Sequence, residues 1–227
     1  MSDKKSNVKK IFDNIAFRYD LLNHLLSFGF DYRWRKKALK LSGINSQSVL
    51  LDVACGTGDF AIDAYNIGVR QIFGGDYSYN MLELFSKKSS WSNGNVVQLV
   101  AEHLPFKSSS FTNIIVAFGV RNFYDIQMGF QSFFDVLKEN GKATILEFRL
   151  PSNPTVRFIY KFYFKKILPL VGGLISGDKS AYQYLPDSVE EFGEKINIPQ
   201  HLKSVGFKKV ETHSLTLGIV QVIIATK

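Results

Sequence analysis

Two glycines and two aspartates within one stretch of chain are the residues best suited to bind a cofactor. Gly56 and Gly58 follow the apolar run Val49–Val53 and allow a tight turn in which backbone N–H groups approach a ligand closely. Asp52 lies near the end of that run, and Asp76 ends a second apolar run. The pattern predicts a strand–turn–helix unit with a nucleotide cofactor at the carboxyl end of the first strand.

The charges around this turn distinguish two classes of cofactor. Residues 56–61 fit the dinucleotide fingerprint Gly-x-Gly-x-x-Ala. A dinucleotide would place a pyrophosphate at the helix N-terminus, whereas S-adenosylmethionine brings a sulfonium cation and an amino group. Asp52 and Asp59 flank the turn, and no Lys or Arg lies between residues 49 and 62. These acidic flanks favour S-adenosylmethionine. The alternative is structural: Asp59 caps the helix and Asp52 accepts loop amides.

Later segments extend the predicted cofactor site. Asp76 is expected to accept both ribose hydroxyls of an adenosine, or else to form an Asx turn into a helix over residues 80–88. Strands are predicted at 95–100 and 112–118, and the loop after the first of them could wall the adenine. Residues 119–123 then follow strand four, at the edge where open α/β sheets place ligands and chemistry.

Several short blocks, spread over almost the whole chain, match one known pattern. They are Phe12-Asp13-Asn14-Ile15-Ala16, Tyr19-Asp20 with Asn23, Trp34-Arg35, residues 51–59, Asp76 with Met81-Leu82, Leu104-Pro105-Phe106, residues 118–122, Leu146-Glu147-Phe148, and Tyr182 with Tyr184-Leu185. Together they resemble the ubiquinone/menaquinone biosynthesis C-methyltransferases (the UbiE/MenG family). The resemblance implies transfer of a methyl group from S-adenosylmethionine to a ring carbon of demethylmenaquinol, of the demethylated ubiquinol precursor, or of both.

The residues and the resemblance together predict a site. Arg121 would stabilise a developing phenolate, and Asn122 would orient the hydroxyl or a water. The alternative is a structural turn in which Arg121 pairs with Glu147 or Asp125 and Asn122 caps the next helix. The predicted cofactor-binding residues are Asp52, Gly56, Thr57, Gly58, Asp76, Met81, Val100, Ala101 and Ala117. Substrate contacts are predicted for Tyr19, Asp20, Asn23, Glu147, Tyr182 and Tyr184. No metal ligand set is expected.

The chain also departs from the family pattern. Val100 replaces the Asp or Asn that usually precedes Ala-Glu, so an adenine contact there would come from the backbone. Residues 111–112 differ from the usual Phe-Asp, and residues 138–141 differ from the usual Lys-Pro-Gly-Gly. We interpret both differences as turn changes. No His occurs near Ile223, where family members often carry one, and this excludes a base at that place. A catalytically inactive, membrane-associated member therefore stays open as an alternative.

The fold that would position these residues is a class I methyltransferase fold, a doubly wound α/β sheet with an antiparallel last strand. Two helices are expected up to about residue 41, followed by strands alternating with helices through residue 148. An aromatic and basic insert at 151–187 comes next, then a polar helix near 188–205 and two closing strands at 207–213 and 217–226. One domain is predicted over residues 1–227.

Residues 1–42 are predicted to form a helical lid. Phe12, Tyr19, Asp20 and Asn23 recur at intervals of about one or two helical turns, so one face could close over the methionyl end of the cofactor. A helix that docks its apolar face on the sheet fits the spacing equally well.

The insert contains a basic amphipathic pattern. Arg157, Lys161 and Lys165 are four residues apart and align on one helix face, while the remaining surface is aromatic and aliphatic. A helix over residues 155–168 could lie on anionic headgroups, which the net charge of +8 supports, before Pro169 and a glycine pair end it. The alternative is a lid helix with core aromatics and solvated lysines.

Composition and motifs narrow the remaining classes. The single Cys55 excludes an internal disulfide, and we see no secretion signal or bilayer-spanning apolar stretch. We therefore expect a cytoplasmic protein. Peripheral contact at the inner face of the membrane is left open. Gly119-Val120-Arg121-Asn122-Phe123 differs from the Pro-Pro loop of nucleic-acid amino methyltransferases, which disfavours an RNA or DNA substrate. An NAD-dependent dehydrogenase using residues 56–61 is the alternative from another class. Homodimerisation is left open.

Overall fold

A seven-stranded sheet forms the centre of the described part of the chain. The computed structural model describes residues 10, 13, 16, 17, 19–21, 23–170 and 179–227, without the side chains of 179–183. The sheet order is β3-β2-β1-β4-β5-β7-β6. Its strands are β1 Val49–Val53, β2 Gln71–Asp76, β3 Val96–Gln98, β4 Phe111–Ala117, β5 Leu137–Phe148, β6 Lys209–Leu215 and β7 Val220–Thr226. Strands β1 to β5 pair in parallel and β7 pairs antiparallel with both β5 and β6, which confirms the predicted doubly wound sheet and closing hairpin.

Helices cover both faces of this sheet. They are α1 Phe30–Ser42, α2 Asp59–Asn66, α3 Tyr79–Lys88, α4 Ile126–Val136, α5 Pro154–Phe162, α6 Lys179–Lys195 and α7 Ile198–Val205. The described residues between 10 and 26 are also helical, and we call them the leading segment. Side chains alternate across a strand, so Ile115 packs with α1, α2 and α3 while its neighbour Ile114 packs with α4 and α7. The predicted pair of leading helices is confirmed where the chain is described.

Three predicted boundaries are wrong. The polar helix expected near 188–205 is two helices, because Asn197 caps α7 and Pro199 lacks the N–H that a continuous helix would need. The last strand begins at Val220 rather than at 217, since Leu217 has a left-handed φ of 56° in a tight 3₁₀ turn. The third strand is shorter than 95–100 and ends at Gln98.

The insert does not end its helix at Pro169 as predicted. After α5, residues Tyr163–Ile167 form a π-helical turn in which the Leu168 N–H donates to the Tyr163 carbonyl. The helical backbone continues through Leu170, and the predicted glycine stop at 172–173 lies outside the described residues. Widened turns of this kind are frequent at functional sites. Among the described residues, no helix combines the length and apolarity needed to cross a bilayer.

The basic face predicted for the insert is turned partly toward the protein. Lys161 and Lys165 both form ion pairs with Glu190 on α6, the first at 2.5 Å, and Arg157 Nε donates to the Pro151 carbonyl at 2.7 Å. These contacts engage the three basic groups within the protein, and phosphate binding by this face stays a prediction. The insert also exposes the apolar residues Phe158, Ile159 and Phe162, alongside the exposed Arg157 and Lys165.

Candidate functional site

The carboxyl ends of β1 and β4 form the floor of the candidate site. Ala54 follows β1 with a φ of 54°, and Phe118 follows β4 with a φ of 56°, although neither is glycine. A Cβ added at Gly119 would lie 2.7 Å from the Ala54 Cβ, so the two strand ends are in close contact. Left-handed backbone at residues that carry side chains is strained and clusters at functional sites.

The glycine turn after β1 has the predicted tight geometry. Gly56 and Gly58 have φ values of 54° and 85°. A Cβ at Gly58 would lie 2.1 Å from the Phe85 ring, so a side chain would collide with α3. The turn leads directly into α2, and Asp52 supports it by accepting the Ala61 N–H at 3.0 Å.

A cleft of about 840 Å³, including its open mouth, lies over these strand ends. Of the predicted cofactor-binding residues, those that line it are Gly56, Asp76, Met81, Val100, Ala101 and Ala117. Asp52, Thr57 and Gly58 are not among its lining residues, and their contacts support the turn instead. Asn122 and Tyr19, predicted for catalysis and substrate, also line this cleft.

Asp76 combines both interpretations made from the sequence. One carboxylate oxygen accepts the Gly56 N–H at 2.8 Å, and the other accepts the Ser78 N–H at 2.8 Å, which is an Asx turn. Burial raises the pKa of Asp76, and these amide bonds oppose the shift. Each oxygen keeps acceptor capacity for a ribose hydroxyl. Burial also raises the pKa of Asp52 well above its usual value. A glycine-lined cleft with carboxyl groups beneath it fits the ribose and the positive charge of S-adenosylmethionine.

The charge environment of Asp59 differs from the sequence prediction. Lys88 Nζ lies 2.5 Å from its carboxylate, and Arg35 Nη1 lies 3.6 Å from it. His24, Asp31 and Asp59 bring three ligand atoms within 4.8 Å of one another, but Arg35 also pairs with Asp31 at 2.7 Å. Cations from other elements thus compensate Asp59, whereas Asp76 lines the cleft itself.

A second, larger cavity adjoins the cleft. Its empty volume is about 1800 Å³, including the open mouth, and its walls come from the leading segment, α1, α5, the π-helical turn and α6. Aromatic and aliphatic side chains dominate this lining, and the aromatic ones include Trp34, Phe148 and Phe164. Tyr19 and Phe118 line both spaces, so the cleft and the cavity meet at these two side chains.

Arg121 lies in the wall of the larger cavity and is also ion-paired. Its Nη1 donates to Glu147 Oε1 at 2.9 Å and to the Phe118 carbonyl. Both side chains are buried, with relative exposures of 5% and 0%. The predicted pairing with Glu147 is therefore present, whereas the cap of α4 is Asp125, which accepts the Met128 N–H at 2.9 Å.

Asn122 does not cap the next helix, contrary to the structural alternative. Its Oδ1 accepts a hydrogen bond from the Tyr184 hydroxyl at 2.8 Å. Asn122 lines the cleft and Tyr184 lines the larger cavity, so this bond spans the boundary between them. Burial raises the pKa of Tyr184, which keeps the phenol neutral and able to donate.

The leading segment is attached to the glycine turn. Thr57 Oγ1 donates to Asp20 Oδ1 at 2.5 Å, and Lys88 Nζ lies 2.8 Å from the other Asp20 oxygen. Tyr19 and Asn23 line the larger cavity, as expected of substrate-contact residues, whereas Asp20 lines neither space. Phe12 and the side chain of Tyr182, also predicted for the lid and the substrate, lie outside the described residues.

Comparison with known proteins identifies the family. A model described as the ubiE/COQ5 methyltransferase family matches residues 1–227. The chain belongs to the ubiE/COQ5 methyltransferase family. The ubiquinone/menaquinone biosynthesis C-methyltransferase UbiE of Geotalea daltonii is 42% identical over 100% of this chain and 99% of its own length. A demethylmenaquinone methyltransferase of Chlorobaculum parvum is 40% identical, covering 98% of this chain and 93% of the relative.

Solved structures support the fold of this ubiE/COQ5 family member. The crystal structure of a SAM-dependent methyltransferase from Thermotoga maritima matches with a TM-score of 0.63 and 19% identity, over 96% of this chain and 99% of that one. The class I methyltransferase fold, the methyltransferase activity and S-adenosylmethionine as methyl donor are thereby confirmed. The dehydrogenase and nucleic-acid alternatives receive no support from these relatives.

Sequence reasoning missed Tyr160 as a cavity residue of this family member. The insert was interpreted from its basic spacing, yet Tyr160, Phe164 and Leu168 have the same four-residue spacing and are all buried. That apolar repeat was visible in the sequence. Glu102 belongs to the loop predicted to wall the adenine and lines the cleft, but its hydrogen bond from the Tyr124 N–H, at 2.7 Å, was not predicted. Nothing local in the sequence signals this bond.

Proposed function

We propose that this chain methylates a ring carbon of a demethylated polyprenyl quinol. The observation that carries the proposal is the junction of the two spaces at Tyr19 and Phe118. One space presents glycine backbone and carboxyl groups, which suit an adenosine-bearing cofactor. The other is large and aromatic, which suits a fused or substituted ring and the first units of its apolar tail. Reaction between the two ligands would occur where the spaces meet.

The proposed chemistry needs few protein groups. Bound S-adenosylmethionine supplies the methyl group: the ring carbon forms a bond to it, the carbon–sulfur pair returns to sulfur, and the ring hydrogen leaves as a proton. Arg121 would favour loss of the quinol hydroxyl proton by stabilising the phenolate with its fixed charge. Because a guanidinium stays protonated, Arg121 is not the proton acceptor. Asn122, held by Tyr184, would orient a water that accepts this proton.

The proposed cofactor contacts follow from the cleft lining. Asp76 would accept the ribose hydroxyls, and the backbone of Gly56 would approach the methionyl end. Met81, Val100 and Ala101 would wall the adenine, with Val100 contributing through its backbone. Asp52, Thr57 and Gly58 would act by holding the turn in shape.

Transfer of labelled methyl from S-adenosylmethionine tests the proposal directly. The acceptors are reduced demethylmenaquinol and demethylated ubiquinol analogues, and the lipid products are extracted and identified by mass. Label in either ring supports the proposal and excludes an inactive family member, and the preferred ring assigns the pathway. If neither ring takes label while the protein binds S-adenosylhomocysteine, the proposed substrate is wrong.

We also propose peripheral contact between the insert and a membrane surface. Phe158, Ile159 and Phe162 are 73%, 61% and 56% exposed, which leaves an apolar face on α5. Ile159 also lines the larger cavity, so this face adjoins the space proposed for the quinol. A polyprenyl quinol is too apolar for free solution, and an apolar face next to its site would let it enter from a lipid surface. Lys166 adds an exposed positive charge nearby.

Vesicle sedimentation tests the membrane contact. Vesicles of phosphatidylglycerol and phosphatidylethanolamine should retain the wild type, and Phe158→Ser/Phe162→Ser should lower the partition coefficient at least about tenfold, given the apolar area lost. The matched control is Ile67→Ser, which removes an exposed apolar residue (48%) just after α2, at the opposite edge of the sheet. Unchanged binding of the double variant, or an equal loss in the control, would contradict the contact.

A further inference from the structure

Two buried polar atoms in the described residues have no hydrogen-bond partner, and both belong to the larger cavity. They are Arg121 Nε and the Tyr160 hydroxyl oxygen. Arg121 is 8% exposed and Tyr160 is 5% exposed, and both line the cavity. Buried donors are nearly always paired, because an unpaired one loses its hydration without compensation. Two such atoms in one cavity wall are available to a ligand that offers an acceptor.

The surrounding rings hold these two side chains in place. Tyr160 stacks on Phe164 with ring centroids 4.1 Å apart, and Phe164 contacts Phe148 at 5.6 Å. The Arg121 guanidinium carbon lies 5.8 Å from the centroid of the same Phe148 ring. One aromatic cluster, Phe148 with Phe164, thus contacts both side chains. Glu147 holds the far end of the guanidinium, which leaves Nε as its unsatisfied donor.

The Tyr160 hydroxyl is a donor rather than a base. Burial raises its pKa far above the ordinary value, and the charge of Arg121 only partly opposes this. The phenol therefore stays neutral at physiological pH. A neutral phenol and a guanidinium N–H each offer one hydrogen to an acceptor.

We propose that Tyr160 and Arg121 Nε form a binding site for one ring oxygen of the quinol, the oxygen beside the carbon that receives the methyl group. This inference rests on the proposed function. Both groups donate to that oxygen and stabilise it as phenolate, while its proton leaves to water, since both protein groups are already protonated. Tyr160 is then a substrate-binding residue that sets which ring carbon is activated.

The pair Tyr160→Phe and Tyr163→Phe tests the site. Each removes one hydroxyl from a tyrosine that lines the same cavity, but the Tyr163 hydroxyl is satisfied, donating to the Leu26 carbonyl at 2.7 Å. In the free protein, Tyr160→Phe should leave Tm at or above the wild-type value, because no bond is lost. Tyr163→Phe should lower it by about 2 °C.

Ligand binding gives a readout independent of turnover. Trp34 lines the cavity, so quenching of its fluorescence reports binding of the product analogue 2-methyl-3-prenyl-1,4-naphthohydroquinone. Tyr160→Phe should weaken this binding about tenfold, and it should move the pH midpoint of kcat upward by about one unit, because the phenolate loses a donor. Tyr163→Phe should leave that midpoint unchanged.

A second ligand identifies the oxygen. The analogue 3-methyl-2-prenyl-1-naphthol lacks the hydroxyl beside the methylated carbon, and the wild type should bind it about tenfold more weakly than the full quinol. Tyr160→Phe should discriminate less between the two. Equal binding of both analogues by the wild type, or wild-type affinity and pH midpoint in Tyr160→Phe, would overturn the inference. Absence of any ring methylation by a wild type that binds the quinol would instead count against the proposed function.

Discussion

Replacing Arg121 with alanine should lower both the free energy of unfolding and the rate of methyl transfer. The Arg121–Glu147 pair has a 2.9 Å contact and side-chain exposures of 5% and 0%. Removing one partner of such a pair leaves a buried charge uncompensated, which costs about 3–5 kcal/mol. With an unfolding entropy of about 2.1 cal/mol/K per residue over 227 residues, Tm should fall by about 6–10 °C.

A second substitution separates the two effects. In Arg121→Ala/Glu147→Gln the uncompensated carboxylate is gone. The side-chain amide oxygen introduced at position 147 can still accept the Phe148 N–H, which in the wild type donates to Glu147 at 2.9 Å. This variant should regain about 2 kcal/mol, or roughly 4 °C, relative to the single variant. Its turnover should stay at least about tenfold below wild type, because the donor to the phenolate is still missing.

The assay combines thermal denaturation, labelled methyl transfer well below the lowest Tm, and calorimetric binding of S-adenosylhomocysteine. Cofactor affinity should stay near the wild-type value, since Arg121 lines the larger cavity and not the cleft. Wild-type turnover in the single variant would remove Arg121 from the mechanism. Recovery of turnover in the double variant would show that the loss came only from folding.

Three further predictions concern the cofactor cleft and the glycine turn beside it. Asp76→Asn should weaken S-adenosylhomocysteine binding at least about tenfold by calorimetry, because ribose hydroxyls lose a charged acceptor; unchanged affinity would contradict the ribose role. Burial raises the folded-state pKa of Asp52 above the unfolded value, so its stabilising contribution is full at low pH and is lost as pH rises through the folded pKa. Asp52→Asn, which can still accept the Ala61 N–H, should therefore raise Tm relative to wild type at pH 8 and not at pH 4; a pH-independent difference would refute this. Gly58→Ala should lower the free energy of unfolding by more than about 2 kcal/mol in urea titrations. The added Cβ would lie 2.1 Å from the Phe85 ring, and residue 58 has a φ of 85°. Near wild-type stability would show that α3 moves aside.

Local patterns predicted the cleft well. Short continuous apolar runs located β1 and β2, and the residue type at each strand end placed Asp52 and Asp76 beside the glycine turn. Parallel pairing brings the carboxyl ends of neighbouring strands to one edge, so residues far apart in sequence meet there without further information. The positions of Gly56 and Asp76 in the cleft lining follow from this rule alone.

Charge compensation could not be predicted in the same way. Lys88 reaches Asp59 from 29 residues away and Asp20 from 68 residues away, because α3 packs beside the turn. Glu190 likewise pairs with Lys161 and Lys165 of the insert, for which the sequence left membrane contact open. Such pairs depend on how helices pack across the sheet, which no local periodicity specifies.

The sequence by itself determined which residues stand at the strand ends, where the glycine turn lies, and the family. These features depend on short-range patterns and on motif identity. Only the tertiary structure decided which charges are paired and which polar atoms are left for a ligand. Arg121 shows both: its place after β4 was predictable, whereas the pairing of Nη1 with Glu147 and the unpaired Nε in the cavity that Tyr160 also lines depend on how distant elements pack. Hydrogen bonds and ion pairs act over a few ångströms, and those distances are set only when the core is packed.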